Sequence, residues 1–216
     1  MTVVIANVAP SEARDAFHWY RGFAAANEHL FPRTWDKFQE LANEYELVCA
    51  RDGDYYVGFC YYTQDQDSCE IGGLMVPANQ RGRALGSTLV FVTLGNLLID
   101  VQPLTRGETV ISYVHRDNNA PRSVITERLK FVYRRSVQVP AQELPGFTVG
   151  DDGLVHGDEF EWTRPGTLLA LADWCDGWQD KLRDGSPARV ELRDQLTLPE
   201  WAEAFRQMAT NPDDNS

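Results

Sequence analysis

The sequence predicts an α/β domain followed by a helical C-terminal extension. Three observations carry this. Strand-like and helix-like segments alternate as β-α-α-β-β-β-α-β-α-β over roughly the first two thirds of the chain. A strand, a turn of small residues and a helix follow one another between Cys69 and Asp100. After Pro165 the pattern changes to widely spaced aromatic and leucine residues in an acidic background.

The elements follow in order. Residues 2–8 (TVVIANV) read as a strand. Ser11 is placed to cap a helix running to about Glu28, with Phe17, Tyr20 and Ala24 at helical spacing, and Pro32 breaks it. Thr34 starts a second helix with Trp35, Phe38 and Leu41 on one face. Tyr45–Arg51, Tyr55–Thr63 and Ser68–Pro77 read as strands, the first two joined at Asp52-Gly53-Asp54. The helix from about Arg83 to Asp100 is so rich in Leu, Val and Phe that most of its surface must be covered. Val110–Val114 reads as a strand, Ala120–Leu129 as a helix and Phe131–Val139 as a strand. Pro140 to Gly157 reads as a loop, and Asp158–Arg164 as an edge strand. In the extension, Leu168, Leu171, Trp174, Trp178 and Leu182 form one helical stripe. Thr197 to Glu200 fits a capping box leading into a helix with Trp201, Phe205 and Met208 on one side. The expected division is a main domain over 1–164, the acidic helical extension over 165–210 and a frayed tail over 211–216.

Composition narrows the function. Of 216 residues, 43% are hydrophobic and 24% charged, the balance of a globular chain. No apolar run approaches the roughly 18 residues of a membrane span. The start MTVVIANVAP has no signal-peptide pattern, and Cys49, Cys60, Cys69 and Cys175 form no CxxC pair, so a reducing, cytoplasmic setting is expected. The net charge of −12 argues against nucleic acid as a partner. It is unevenly spread: residues 151–216 carry fifteen acids and six bases, whereas Arg81 to Arg135 carry nine bases and four acids. A local basic stretch in an acidic chain points to a small anionic ligand.

The chemistry lies in Cys69–Ser87 (CEIGGLMVPANQRGRALGS). The backbone N–H groups of Gly82, Arg83, Ala84, Leu85, Gly86 and Ser87 are expected to face an anion at a helix N-terminus, with Arg81 and Arg83 adding charge-assisted bonds to phosphate. This is a diphosphate cradle that matches neither GxxxxGK(S/T) nor GxGxxG. No HExxH, GxSxG or Cys/His cluster is present, so no metal site is expected.

This run resembles the acetyl-CoA-binding motif of the GNAT superfamily of acyl-CoA-dependent N-acetyltransferases, Gln/Arg-x-x-Gly/Ala-x-Gly/Ala after a strand ending near a proline. Arg81, Ala84 and Gly86 fill the defined positions, and Leu74-Met75-Val76-Pro77 the strand. A second segment, Val114 to Phe131, resembles the family's V-x-x-x-x-N, helix, GF pattern, with Asn119 as the asparagine that meets the cofactor. The resemblance spans roughly residues 2–139. It implies a central mixed, mostly antiparallel sheet flanked by helices, acetyl-CoA as cosubstrate and an amine acceptor, and it allows a homodimer. It also implies that backbone groups of Leu74 and Val76 hold the pantetheine arm. Lys130 stands where the family has glycine, and Thr126 where many members have the tyrosine that protonates the departing thiolate. These departures leave an inactive acyl-CoA-binding module, acting through a protein partner, as the alternative.

An amine attacking a thioester needs a base, and Glu70 is the first candidate. Strand alternation puts it on one face with Gly72, Leu74 and Val76, and a central-strand carboxyl has its pKa raised by burial. The histone acetyltransferase branch of the family has its glutamate at this offset. Tyr113 and Tyr133 are the candidate acids, ahead of Ser123, Thr126 and His115.

Overall fold

The computed structural model describes residues 2–27, 30, 33–65, 67–100, 109–144 and 147–210. Eight strands form one sheet: β1 (Val3–Asn7), β2 (Leu47–Asp52), β3 (Tyr55–Gln64), β4 (Ser68–Met75), β5 (Thr109–His115), β6 (Val132–Pro140), β7 (Leu154–Glu161) and β8 (Ala188–Val190). Their spatial order is β6-β7-β5-β4-β3-β2-β1-β8. Pairing is antiparallel except at two places, β4 with β5 and β1 with β8. The sheet is therefore mixed and mostly antiparallel, flanked by helices.

Alternation along the strands divides the core in two. One face presents Cys60, Tyr62, Cys69 and Ile71 to helix α3 (Leu85–Asp100). The other presents Cys49, Phe59, Tyr61 and Met75 to α1 (Ala13–Ala25) and α2 (Trp35–Asn43). Helix α1 buries Ala13, Ala16, Tyr20 and Ala24, spaced by three or four residues as one helical face requires. Its start differs from expectation: a single 3-10 turn, Pro10–Glu12, precedes it, and Ser11 lies within that turn. It also ends at Ala25, short of the predicted end near Glu28, and Glu28 and the predicted break at Pro32 lie outside the described residues. Thr34 does cap α2, its hydroxyl accepting from the Lys37 N–H at 3.4 Å.

Every residue of helix α3 from Ser87 to Leu98 is buried, which the sheet alone cannot achieve. The second cover is the extension. Helix α5 (Arg164–Gly177) and helix α6 (Leu198–Thr210) add Leu168, Leu171, Ala172, Trp201 and Phe205 to the same core. Trp174 stacks on Phe91 with ring centroids 5.2 Å apart. Any Cβ on Gly95 would lie 2.1 Å from the Trp201 ring. The aromatic residues thus serve α3 of their own chain. The capping box forms as expected: the Glu200 carboxylate accepts from the Thr197 N–H at 2.8 Å, and the Thr197 hydroxyl accepts from the Glu200 N–H at 3.4 Å.

Three sequence expectations are corrected here. The strand at Asp158 is not an edge: β7 inserts between β5 and β6, so β6 is the edge. Helix α5 stops at Gly177, leaving Trp178 and Leu182 on the following segment, where Leu182 still reaches the core. The extension also supplies a strand that was not foreseen, β8, too short to show alternation. Helix α4 begins as an α-helix (Asn119–Ser123) and continues as a π-turn (Val124–Arg128). Lys130 ends it at φ 63°, the left-handed geometry for which glycine is favoured. The tail 211–216 lies outside the described residues. Among the described residues no helix is long and apolar enough to cross a membrane.

Candidate active site

The site begins where two parallel strands part. β4 and β5 pair only at Ser68–Thr109, Cys69–Val110 and Glu70–Ile111. One step further the Ser112 hydroxyl donates to the Ile71 carbonyl at 2.9 Å; beyond it the strands diverge. The divergence coincides with a bulge, because the β3–β4 register jumps from Tyr61–Gly72 to Phe59–Met75. Gly73 sits there at φ 62°, and a Cβ would fall 1.9 Å from the Tyr61 ring, so only glycine fits.

The bulge reverses the alternation. Glu70 and Gly72 face α1 and α2, but Leu74 and Val76 pack toward α3, and Met75 takes the buried position opposite. The expected common face of Glu70, Gly72, Leu74 and Val76 is therefore broken after Gly72. The physical reason is the extra residue, which shifts the period-two pattern by one.

The gap opens on a small cavity of about 70 Å³ between Gly72–Leu74 and Tyr113–His115, floored by Cys60, Val90 and Ile125. It shares Leu30, Leu74, Asn118 and Pro121 with a groove of about 510 Å³ that runs over the N-terminus of α3. Leu74, Val76, Arg81, Gly82, Ala84, Leu85, Gly86 and Ser87 line this groove, as a cofactor cradle requires. The first bond of α3 runs from the Thr88 N–H to the Ala84 carbonyl at 3.0 Å, so the N–H groups of Leu85, Gly86 and Ser87 are the helix's unpaired terminal donors. Ala84 makes the turn at φ 66°. Arg128 reaches in from α4 and donates to the Ser87 hydroxyl at 3.3 Å. A diphosphate fits this donor set: N–H groups at a helix start, flanked by guanidinium groups.

Three predicted cofactor residues lie elsewhere. Met75 is fully buried among α1 and α2 residues. Asn119 faces an open surface hollow with Arg116 and Tyr133, while its neighbour Asn118 lines both the groove and the cavity. Arg83 turns away from the groove to the extension, pairing with Asp184 at 2.7 Å and donating to Ser186 at 2.7 Å.

Of the catalytic candidates, Glu70 and Tyr113 lie beside the gap. Burial raises the Glu70 carboxyl pKa, the Arg33 guanidinium opposes this, and Asp65 adds to it. Arg33 is held by donating to the Tyr61 hydroxyl at 2.9 Å and lies 5.2 Å above that ring. Burial also raises the Tyr113 pKa, reinforced by Glu159, a buried carboxylate paired with Arg134 and Arg135. Tyr113 and His115 line the cavity. Tyr133 does not: it packs edge-on against Phe160 and meets Ser136, in the hollow beyond α4. The Thr126 hydroxyl donates to the Arg122 carbonyl inside its own helix. Arg33, Tyr61, Asn118, Arg128 and Arg183 of the site were not foreseen. Asn118 was one position from the residue chosen; the others are brought in by tertiary packing and leave no local pattern. Among the described residues no cluster of His, Cys, Asp or Glu is arranged to hold a metal ion.

Comparison with known proteins bears on this arrangement over part of the chain by sequence and over most of it by fold. Residues 13–93 match the model of the acetyltransferase (GNAT) family. The fold is that of an acetyltransferase of the GNAT family from Streptococcus pneumoniae (TM-score 0.56, 13% identity, covering 74% of this chain and 98% of that one). It is also that of the ribosomal-protein-S18-alanine N-acetyltransferase from Escherichia coli (0.52, 16%, 74% and 93%). A third similar structure is the diaminobutyrate acetyltransferase EctA from Paenibacillus lautus, in complex with L-2,4-diaminobutyric acid and coenzyme A (0.54, 13%, 74% and 94%). No curated protein matches the chain by sequence. The GNAT resemblance read from Arg81, Ala84 and Gly86 is thus borne out, by sequence over 13–93 and by fold over about three quarters of the chain.

Proposed function

We propose that the protein is an N-acetyltransferase that moves an acetyl group from acetyl-CoA to a primary amine by direct attack in a ternary complex. The observation that carries this reading is the parting of β4 and β5 after Glu70 and Ile111, which opens a cavity continuous with the groove at the start of α3 and lies next to the Glu70 carboxyl. The groove takes the CoA diphosphate on the N–H groups at the start of α3, with Arg81 and Arg128 beside it. The pantetheine arm runs along Leu74 and Val76 into the gap, where β4 has no partner on its β5 side and its backbone donors there meet the thioester oxygen.

The amine lone pair attacks the carbonyl carbon, the C–S bond breaks, and the amine proton passes to Glu70 directly or through water. Tyr113, kept protonated by its raised pKa, supplies the proton to the departing thiolate. All four cysteines are buried free thiols, which suits direct attack rather than an acyl-cysteine, and suits a reducing, cytoplasmic setting. The net charge of −12 favours a cationic acceptor such as a polyamine, an aminoglycoside-like molecule or a basic peptide N-terminus. Lys130 holds the left-handed geometry expected of glycine, so this departure leaves the backbone of the site intact and favours an active enzyme over a binding module.

The test is thiol release from acetyl-CoA against a panel of such amines. Wild-type kcat/KM should fall on acidification through the raised pKa of Glu70, because the protonated carboxyl cannot accept a proton. Glu70→Gln should lower kcat by about 10²–10⁴-fold and remove that acid limb. Wild-type turnover with an unchanged profile in Glu70→Gln removes Glu70 as the base. Binding of acetyl-CoA without thiol release for any amine sinks the transferase reading.

A further inference from the structure

We propose that Arg183, carried by a hairpin of the C-terminal extension, is a phosphate-binding residue of the cofactor groove; this rests on the acetyl-CoA reading above. Arg183 lines the groove together with Gln80, Arg81 and Gly82, although it lies far beyond the segment matched by the family model. Two sets of bonds fix its position. Within the hairpin, Leu182 N–H donates to the Ser186 carbonyl and Gly185 N–H to the Leu182 carbonyl, both at 2.9 Å, and Lys181 bridges to Pro187. Leu182 anchors the hairpin in the main core at 3% exposure.

The hairpin is then tied to the cradle itself. The Arg183 N–H donates to the Arg83 carbonyl at 3.0 Å. The Arg83 side chain grips Asp184 and Ser186, each at 2.7 Å. Arg83 pairs with Asp184, the acid next to Arg183 in the hairpin, and so compensates its charge. Among the described residues no ion pair engages the Arg183 guanidinium, so it remains available to an anion. A cation placed on a tethered hairpin loses little freedom when it meets a phosphate, and Arg presents paired donors suited to one. The sequence places Arg83 in the cradle; the structure shows it acting one step away, as the residue that positions Arg183.

The test is titration calorimetry of the full chain with acetyl-CoA and with dephospho-CoA. Arg183→Ala should weaken acetyl-CoA binding about 10- to 100-fold, the loss of a charge-assisted hydrogen bond. Arg183→Lys should recover part of it, and added KCl should narrow the gap to wild type. Lys181→Ala, on the exposed side of the same hairpin, should bind as wild type. If the Arg183→Ala defect persists with dephospho-CoA, Arg183 holds the diphosphate; if it vanishes, Arg183 holds the 3′-phosphate. Wild-type affinity in Arg183→Ala, with tight binding by wild type, overturns this inference and leaves the acetyl-CoA reading standing. No acetyl-CoA binding by wild type overturns both.

Discussion

Ala84 carries the turn into α3 at φ 66°, a conformation that crowds its Cβ against the backbone. Its carbonyl gathers the Ser87 hydroxyl, the Thr88 hydroxyl and the Thr88 N–H, and these bonds hold the turn against the strain. Ala84→Gly should relieve it and, after the added freedom of the unfolded chain, gain about 0.5 kcal/mol, a rise in Tm of about 1–2 °C. A melting curve decides it; a fall in Tm would show that the methyl group packs productively. At this scale legibility followed side-chain size. Gly82, Ala84 and Gly86 could be read as a cradle because small residues at a strand–helix junction have few other uses. Arg83 could not be placed, since its partners Asp184 and Ser186 lie a hundred residues on. Asn118 and Asn119 differ only by where β5 ends, which a one-residue uncertainty leaves open.

At the level of elements, burial was easier to read than geometry. The apolarity of α3 announced that most of its surface would be covered, and it is. What covers it follows from Gly95, where the missing side chain admits the Trp201 ring to the helix backbone. Gly95→Ala should displace that ring and cost roughly 1–3 kcal/mol, seen as a lower Tm. Combining it with Trp201→Phe should recover part of the loss if the clash is the cause; strictly additive losses would assign the effect to the helix itself. The β4 bulge was not readable. Gly72-Gly73 marks a possible irregularity, but the register jump depends on Phe59 and Tyr61 across the ladder. That jump is why Leu74 and Val76 were assigned to the wrong face. β7 was likewise read as a strand but begun four residues late, at Asp158 rather than Leu154, and misplaced as an edge, because local alternation says nothing about insertion between β5 and β6.

For the whole molecule, the extension is structural as well as functional. It adds β8 to the sheet, α5 and α6 to the core, and a tie at the end of α4, where the Thr167 hydroxyl donates to the Leu129 carbonyl at 2.8 Å. A chain ended after Glu161 should leave the outer face of α3 bare, and should precipitate or bind a hydrophobic dye strongly. A monodisperse truncated protein that melts cooperatively would instead make residues 165–210 an appendage. The pairing of Val3 with Ala188 has a further consequence, in time rather than space. During synthesis the first strand leaves the ribosome with one of its two neighbours still untranslated. β1 can find β2 early, but its outer edge stays open until Ala188–Val190 has been made. Closure of this edge thus waits on about 180 residues of further synthesis after β1, and a chaperone guarding it would be needed throughout that interval.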